Sequence, residues 1–128
     1  MPPSTDTHNL APLEAAVIQL QLSDDSELAI ALRTQWKAAT VADRQLTGVG
    51  FYTTFSVPPS IPGHSDLSRR RLGDVHAEIG GLEHGAGFIL WIEDGRLSCL
   101  EGYSYQEAWP DQVTAFRVWK SGDSAEKA

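Results

Sequence analysis

The stretch from Gly85 to Pro110, GAGFILWIEDGRLSCLEGYSYQEAWP, decides the fold of this 128-residue chain. Two runs rich in apolar and aromatic residues flank the pair Asp94-Gly95. An Asp-Gly pair between such runs predicts a β-hairpin, because a type I′ turn requires a positive φ at both central residues. The stretch therefore predicts two antiparallel strands joined by a two-residue turn.

Counting outward from this turn sets the faces of the hairpin. Cross-strand partners share a face, and successive residues alternate between faces. The predicted core face collects Phe88, Leu90, Ile92, Leu97, Cys99, Glu101 and Tyr103. The other face then carries an apolar patch of Ile89, Trp91 and Leu100. Such a patch needs cover, which we expect from the long loop, from the Trp109-Pro110 segment, from a protein partner or from a second copy in a homodimer.

Glu101 is the unusual residue of the predicted core face. A carboxylate among apolar side chains must be paired, hydrogen-bonded or protonated, since burying it bare is costly. Two interpretations stay open: the face opens to solvent or Glu101 caps backbone N–H groups, or Glu101 is the polar anchor of a pocket lined by Phe88, Tyr103 and Tyr105. With Trp91, these four residues are the candidate binding residues.

Residues 10–22 carry two periodicities. A helix from a cap at Asn9 to about Leu22, with Pro12 in its first turn, fits the helical spacing of the apolar residues. Ile18, Leu20 and Leu22 also alternate as in a strand, so the choice stays open with helix favoured. A second helix is predicted after Asp24, because the spacing of Asp24 and Glu27 matches a capping box. Its apolar stripe consists of Leu28, Leu32, Trp36 and Ala39.

Downstream, alternating patterns predict strands. FYTTFSV (Phe51–Val57) is rich in β-branched and aromatic residues, and Ala42–Thr47 is its expected hairpin partner. Further strands are predicted around Val75–Ile79 and over Val113–Lys120. The chain is therefore predicted to be α+β, with N-terminal helices packed on an antiparallel sheet of about four to six strands. We expect a single domain over residues 1–128, frayed termini at about 1–8 and 121–128, and a long loop at about 58–74.

Composition limits the partners. Seventeen acidic against ten basic residues give a net charge of −7, which argues against nucleic acid as a partner. The one basic cluster, Arg69–Arg71, is either a solvated loop or an anion- or partner-binding patch. The start of the sequence shows no secretory signal pattern, and no apolar run is long enough to span a membrane. We expect a cytoplasmic protein with no membrane partner.

Few residues point to chemistry. His76 and Glu78 share a strand face and His84 follows soon after, but no metal-binding motif joins them, so neither a metal nor a cofactor is expected. Cys99 is the only cysteine, and its predicted place on the core face favours inert packing.

The pattern of Thr47–Phe55 followed by Gly73–Pro110 resembles a family of small bacterial proteins with no assigned activity. The shared motifs are Gly-Ala-Gly-Phe, Asp-Gly-x-Leu and Leu-Glu-Gly-Tyr, closing on Trp-Pro, and they fall in the C-terminal two thirds of the chain. The resemblance implies a bacterial source. It implies no reaction, cofactor, partner or site residue.

The function that these observations favour is a small non-catalytic binding or protein-interaction domain. An immunity-type protein that neutralises a basic toxin belongs to this class, and charge is the basis for that interpretation. The alternative is a small enzyme or small-molecule binder that uses Glu101 with His76 or His84. The strand phase predicts Glu101 and His76 on opposite faces of the sheet, which disfavours the alternative.

Overall fold

The computed structural model describes residues 8–65 and 67–121, which fold as two helices packed on one antiparallel sheet. The α+β prediction is confirmed. The strand order is β1-β2-β5-β4-β3-β6, so the β4–β5 hairpin forms the middle of the sheet. The elements, in chain order, are α1 (Ala11–Gln21), α2 (Glu27–Ala38), β1 (Thr40–Leu46), β2 (Gly50–Ser56), β3 (Arg70–Ile79), β4 (Ala86–Glu93), β5 (Arg96–Ser104) and β6 (Phe116–Lys120).

Residues 11–21 form a helix and not a strand, with Pro12 in the first turn as predicted. The predicted cap is wrong. Leu10 is the N-cap, and Asn9 adopts a positive φ of 56° one residue earlier. The Asn9 amide instead donates to the Val113 carbonyl at 2.8 Å, which ties the start of α1 to the segment before β6.

Helix α2 begins close to the predicted position but with a different cap. Ser26 is the N-cap, and its hydroxyl accepts a hydrogen bond from the Ala29 N–H at 3.0 Å. The Asp24 carboxylate accepts from the Ser26 N–H at 2.8 Å, so it orders the turn that precedes the helix. The predicted apolar stripe lies against the core, with Leu32 fully buried.

The Asp94-Gly95 turn is present, with φ of 54° and 74° at the two residues and Ile92 opposite Leu97. Beyond that pair the predicted register is wrong. A β-bulge shifts the pairing by one residue, so that Trp91 lies opposite Cys99. An extra residue in one strand inverts the faces of everything that follows it.

The bulge exchanges the two faces of β5. Leu100 packs in the core, while Cys99, Glu101 and Tyr103 lie on the opposite face. Phe88 stays in the core on β4. The predicted pocket that combines Phe88 with Glu101 and Tyr103 is therefore wrong, because Phe88 lies on one face of the sheet and the other two side chains lie on the opposite face.

The loop between β2 and β3 is shorter than predicted, since residues 70–74 belong to β3. Arg96 holds it by donating to the carbonyls of Pro58, Pro59 and Ile61. Glu93 lies opposite Arg96 in the register and accepts a hydrogen bond from the Ser98 hydroxyl at 2.7 Å. The loop is thus fastened to the tip of the hairpin.

Both chain ends were expected to fray, and residues 1–7 and 122–128 lie outside the described residues. The adjoining residues are hydrogen-bonded: Val113 N–H donates to the His8 carbonyl at 3.0 Å, and Ser121 N–H donates to the Asp74 carbonyl at 2.6 Å. The last strand begins at Phe116, later than predicted, and Val113 packs in the core ahead of it. In the described part of the chain, neither helix has the length and apolarity needed to cross a membrane.

Candidate binding face

The sheet face opposite the helices gathers most of the predicted site residues, and we call it the outer face. Its side chains come from alternate positions of β2, β4 and β5 that lie side by side in the strand register. The helices cover the other face, where the apolar core packs. The members of the outer face at its centre are Tyr52, Thr54, Ile89, Trp91, Cys99, Glu101 and Tyr103.

Glu101 is held between two aromatic side chains. Tyr52 lies directly opposite it on β2, and its hydroxyl donates to Glu101 Oε2 at 3.3 Å. The Trp91 indole N–H donates to Glu101 Oε1 at 3.2 Å. The negative charge of Glu101 is the main reason that the pKa of the Tyr52 phenol is raised. Each carboxylate oxygen therefore faces one neutral donor.

The ring of Trp91 is also in contact with a cationic side chain of the same chain, Arg69. The Arg69 guanidinium lies 4.4 Å from the centre of the indole ring, within the range of a cation–π contact. Arg69 Nε is 3.9 Å from Glu93 Oε1. The long loop therefore supplies part of the cover that the sequence predicted for Trp91. The predicted patch loses Leu100 to the core and keeps Ile89 and Trp91.

Tyr103 and Tyr105 form the second aromatic pair of this region. Their rings meet edge to face at 5.8 Å. Tyr103 lies over Gly87, its partner on β4, and a Cβ at that glycine would collide with the Tyr103 ring. Burial is the main reason that the pKa of the Tyr103 phenol is raised. Beside it is a depression of about 440 Å³ that Arg71, Asp74 and Ile89 help to line.

His76 lies on the outer face with Glu101, so the prediction of opposite faces is wrong. The two residues belong to β3 and β5, which β4 separates, and two strand spacings amount to about 10 Å. His76 Nε2 instead shares a hydrogen bond with Ser121 Oγ at 2.7 Å, and its ring stacks near Trp119 at 5.9 Å. The exposed His84 lies in the β3–β4 connection, and its backbone N–H donates to Glu107. Neither histidine is hydrogen-bonded to Glu101.

Cys99 lies half-buried on the outer face opposite Trp91, and its predicted core position is wrong. Burial is the main reason that the pKa of its thiol is raised. An activated cysteine shows the opposite shift. Among residues 8–65 and 67–121, no group of three or more His, Cys, Asp or Glu side chains is arranged to hold a metal ion.

Sequence reasoning missed two members of this site, Tyr52 and Arg69. The alternation in FYTTFSV does place Tyr52 on the face opposite Phe51, but nothing local shows that β2 pairs with β5. Arg69 was recognised only as part of a basic cluster. Its contact with Trp91 depends on how the loop returns to the sheet.

Comparisons of the chain with models of protein families, with curated proteins and with solved structures find no match.

Proposed function

We propose that the protein is a non-catalytic protein-interaction domain that binds a basic protein surface through its outer face. The observation that carries this proposal is the Glu101 carboxylate held between Tyr52 and Trp91, with no Lys, Arg or His within ion-pair distance among the described residues. The Glu101 carboxylate is an unneutralised hydrogen-bond acceptor between two large aromatic side chains. Such a group can bind a cationic side chain of a partner.

The residue types of the outer face support binding to a protein. Tyr and Trp are enriched at the energetic centres of protein interfaces, where they contribute large contact areas with little loss of conformational freedom. Tyr52 and Tyr105 are 38% and 45% exposed. Trp91 and Tyr103 are partly exposed beside them. This side of the sheet thus offers several aromatic groups to a partner.

The charge of the whole chain supports a basic partner. A net charge of −7 attracts cationic proteins over a distance and speeds their encounter, although it says little about the strength of the final complex. Neutralisation of a basic protein toxin, an immunity-type function, is the form of this proposal that the charge favours.

The enzymatic alternative has less support. It was expected to use Glu101 with His76 or His84, and the described neighbours of the Glu101 carboxylate are a phenol and an indole. Cys99, the one thiol of the face, has a raised pKa and so lacks the character of a nucleophile.

A selection from displayed random peptides tests the proposed function. We expect the wild-type protein to enrich peptides rich in Arg or Lys, and we expect Trp91→Ser and Glu101→Gln to lose them. Ile30→Ser is the matched control, since Ile30 is a 50% exposed apolar residue on α2. The control should keep the same peptides. Enrichment that survives both outer-face substitutions would overturn the proposal.

A second copy of this chain is the rival occupant of the outer face. Sedimentation of wild-type protein and Trp91→Ser at high concentration distinguishes the two occupants. A dimer that dissociates on Trp91→Ser would mean that the face is the homodimer interface, and the basic-partner proposal would then fail. A monomer in both cases leaves the face free for a different protein.

A further inference from the structure

We propose that the outer face recognises an arginine of its partner. Arg69 of this chain covers the ring of Trp91 until the partner's arginine displaces it. The partner's guanidinium would stack on Trp91 and bond the carboxylate of Glu101. This inference rests on the proposed function and names the chemical group that the face selects.

Arg69 shows that the indole ring accepts a guanidinium. Its Cζ lies 4.4 Å from the ring centre, well inside the limit of about 6 Å for an attractive cation–π contact. Its hold is weak, because the side chain is 64% exposed and its ion pair with Glu93 has an N–O distance of 3.9 Å. Exposed pairs of this kind contribute little, so the side chain can exchange readily.

Glu101 supplies the second half of the recognition. Its two hydrogen bonds, 3.2 Å from Trp91 and 3.3 Å from Tyr52, are longer than the roughly 2.7–2.9 Å typical of bonds between opposite charges. A carboxylate can accept about four hydrogen bonds, so a two-pronged donor still has acceptor positions to fill. Both present donors are neutral, and the negative charge is left uncompensated by them.

Arginine fits this pair of groups better than lysine does. The guanidinium is planar, so one face can stack on an indole while the N–H groups at its edge donate to a carboxylate. An ammonium is a compact, strongly hydrated charge without a flat face. Arg69 contacts the Trp91 ring, but its ion pair is with Glu93 and not with Glu101. A partner arginine that makes both contacts therefore has the advantage over Arg69.

The experiment follows the indole N–H resonance of Trp91 by NMR, identified by its disappearance in Trp91→Phe. The probe is Nα-acetyl-arginine methylamide, compared with the corresponding citrulline and lysine compounds. We expect arginine to shift the resonance saturably, lysine to bind at least about threefold more weakly, and neutral citrulline to leave the resonance in place. Glu101→Gln should abolish the response to arginine.

Replacing Arg69 tests whether this side chain competes with the partner's arginine for the ring of Trp91. We expect Arg69→Ala to strengthen arginine binding about threefold or more, because the free ring no longer has a competitor. The matched control is Arg117→Ala, which removes an outer-face guanidinium lying 5.5 Å from the ring of Trp119 on β6. The control should change the affinity by less than about twofold, since its ring is distant from Glu101.

Four results would overturn the inference: no saturable shift with arginine, an equal shift with citrulline, equal affinity for the arginine and lysine compounds, or equal effects of Arg69→Ala and Arg117→Ala. These failures are distinct from failure of the proposed function. If the selected peptides depend on the outer face but lack arginine, the face binds proteins and the choice of arginine is wrong. If no peptide depends on the outer face, the proposed function itself fails.

Discussion

The side chain of Gln35 forms a hydrogen bond with the backbone of Leu97, whose N–H donates to Gln35 Oε1 at 2.9 Å. Gln35 is fully buried on α2, and its Nε2 donates to the Gly95 carbonyl at 2.9 Å and to the Pro62 carbonyl at 3.4 Å. One amide thus joins a helix, the hairpin tip and the long loop. These contacts hold the loop that brings Arg69 to Trp91.

Replacing Gln35 with methionine should destabilise the fold. The side chain keeps its length, but the Leu97 N–H loses its partner inside the protein, and an unsatisfied buried group costs about 1–3 kcal/mol. We expect a loss of about 2–3 kcal/mol in urea unfolding. Gln19→Met on the exposed face of α1 is the control and should change stability by less than about 0.5 kcal/mol. Equal effects of the two substitutions would show that the Gln35 bonds contribute nothing.

The faces of the sheet show where sequence reasoning stops. The Asp94-Gly95 turn and both helices could be predicted, because turn chemistry and apolar spacing are local properties. The bulge could not, since strict alternation assumes that every residue is paired. The one clue is that Leu97 and Leu100 are three residues apart, so both can face the core only if β5 carries an extra residue between them.

Interactions between segments that are distant in the sequence could not be predicted either. Glu14 on α1 is 2% exposed and accepts hydrogen bonds from Arg44 Nε at 2.9 Å and Arg44 Nη2 at 2.7 Å, and from the Thr53 hydroxyl. A charged residue in a helix is expected on the surface unless it is paired. The pairing partner is on β1, and only the assembled fold brings it to Glu14.

Breaking this ion pair from one side should be costly. Arg44→Met leaves the Glu14 carboxylate buried without its cation, for which we expect a loss of about 3–5 kcal/mol in the free energy of unfolding. The double variant Glu14→Met/Arg44→Met should recover most of that loss, because two apolar side chains of similar length need no ion pair. A double variant no more stable than Arg44→Met would contradict this account.

The turn glycine makes a separate contribution. Gly95 has a φ of 74°, and a Cβ there would collide with the carbonyl oxygen of His64 in the loop. Gly95→Ala should therefore destabilise the protein by more than about 2 kcal/mol, from backbone strain and collision together. Gly48→Ala measures strain alone, since Gly48 has a φ of 90° with open space around it. If the two variants lose equal stability in unfolding experiments, the His64 carbonyl in the loop makes no steric contribution at position 95.

Acid should weaken the connection between the β3–β4 and β5–β6 segments. The Glu107 carboxylate accepts hydrogen bonds from the N–H groups of Glu83 at 2.7 Å and His84 at 2.9 Å, and these bonds hold its pKa below the ordinary value of 4.5. A lowered pKa in the folded state means that the stabilisation is present above pH 4.5 and is lost as the pH falls through the lowered value. Thermal unfolding at a series of pH values should show a smaller acid-induced loss for Glu107→Gln than for the wild type. Identical pH profiles for the two proteins would show that the Glu107 carboxylate does not contribute to the acid-induced loss of stability.

Cys99 reports on the outer face through its reactivity. Burial raises the pKa of its thiol, so less thiolate is present at neutral pH than in an exposed cysteine, and the thiolate is the reactive form. We expect slow labelling by a thiol reagent in the native protein and fast labelling in denaturant. Trp91→Ser should speed native labelling, because it removes the indole that lies directly opposite Cys99, on β4. Ile30→Ser on α2 is the control and should leave the native rate unchanged. If Trp91→Ser and Ile30→Ser label at the same rate, Trp91 does not shield Cys99, and the register that places them together is wrong.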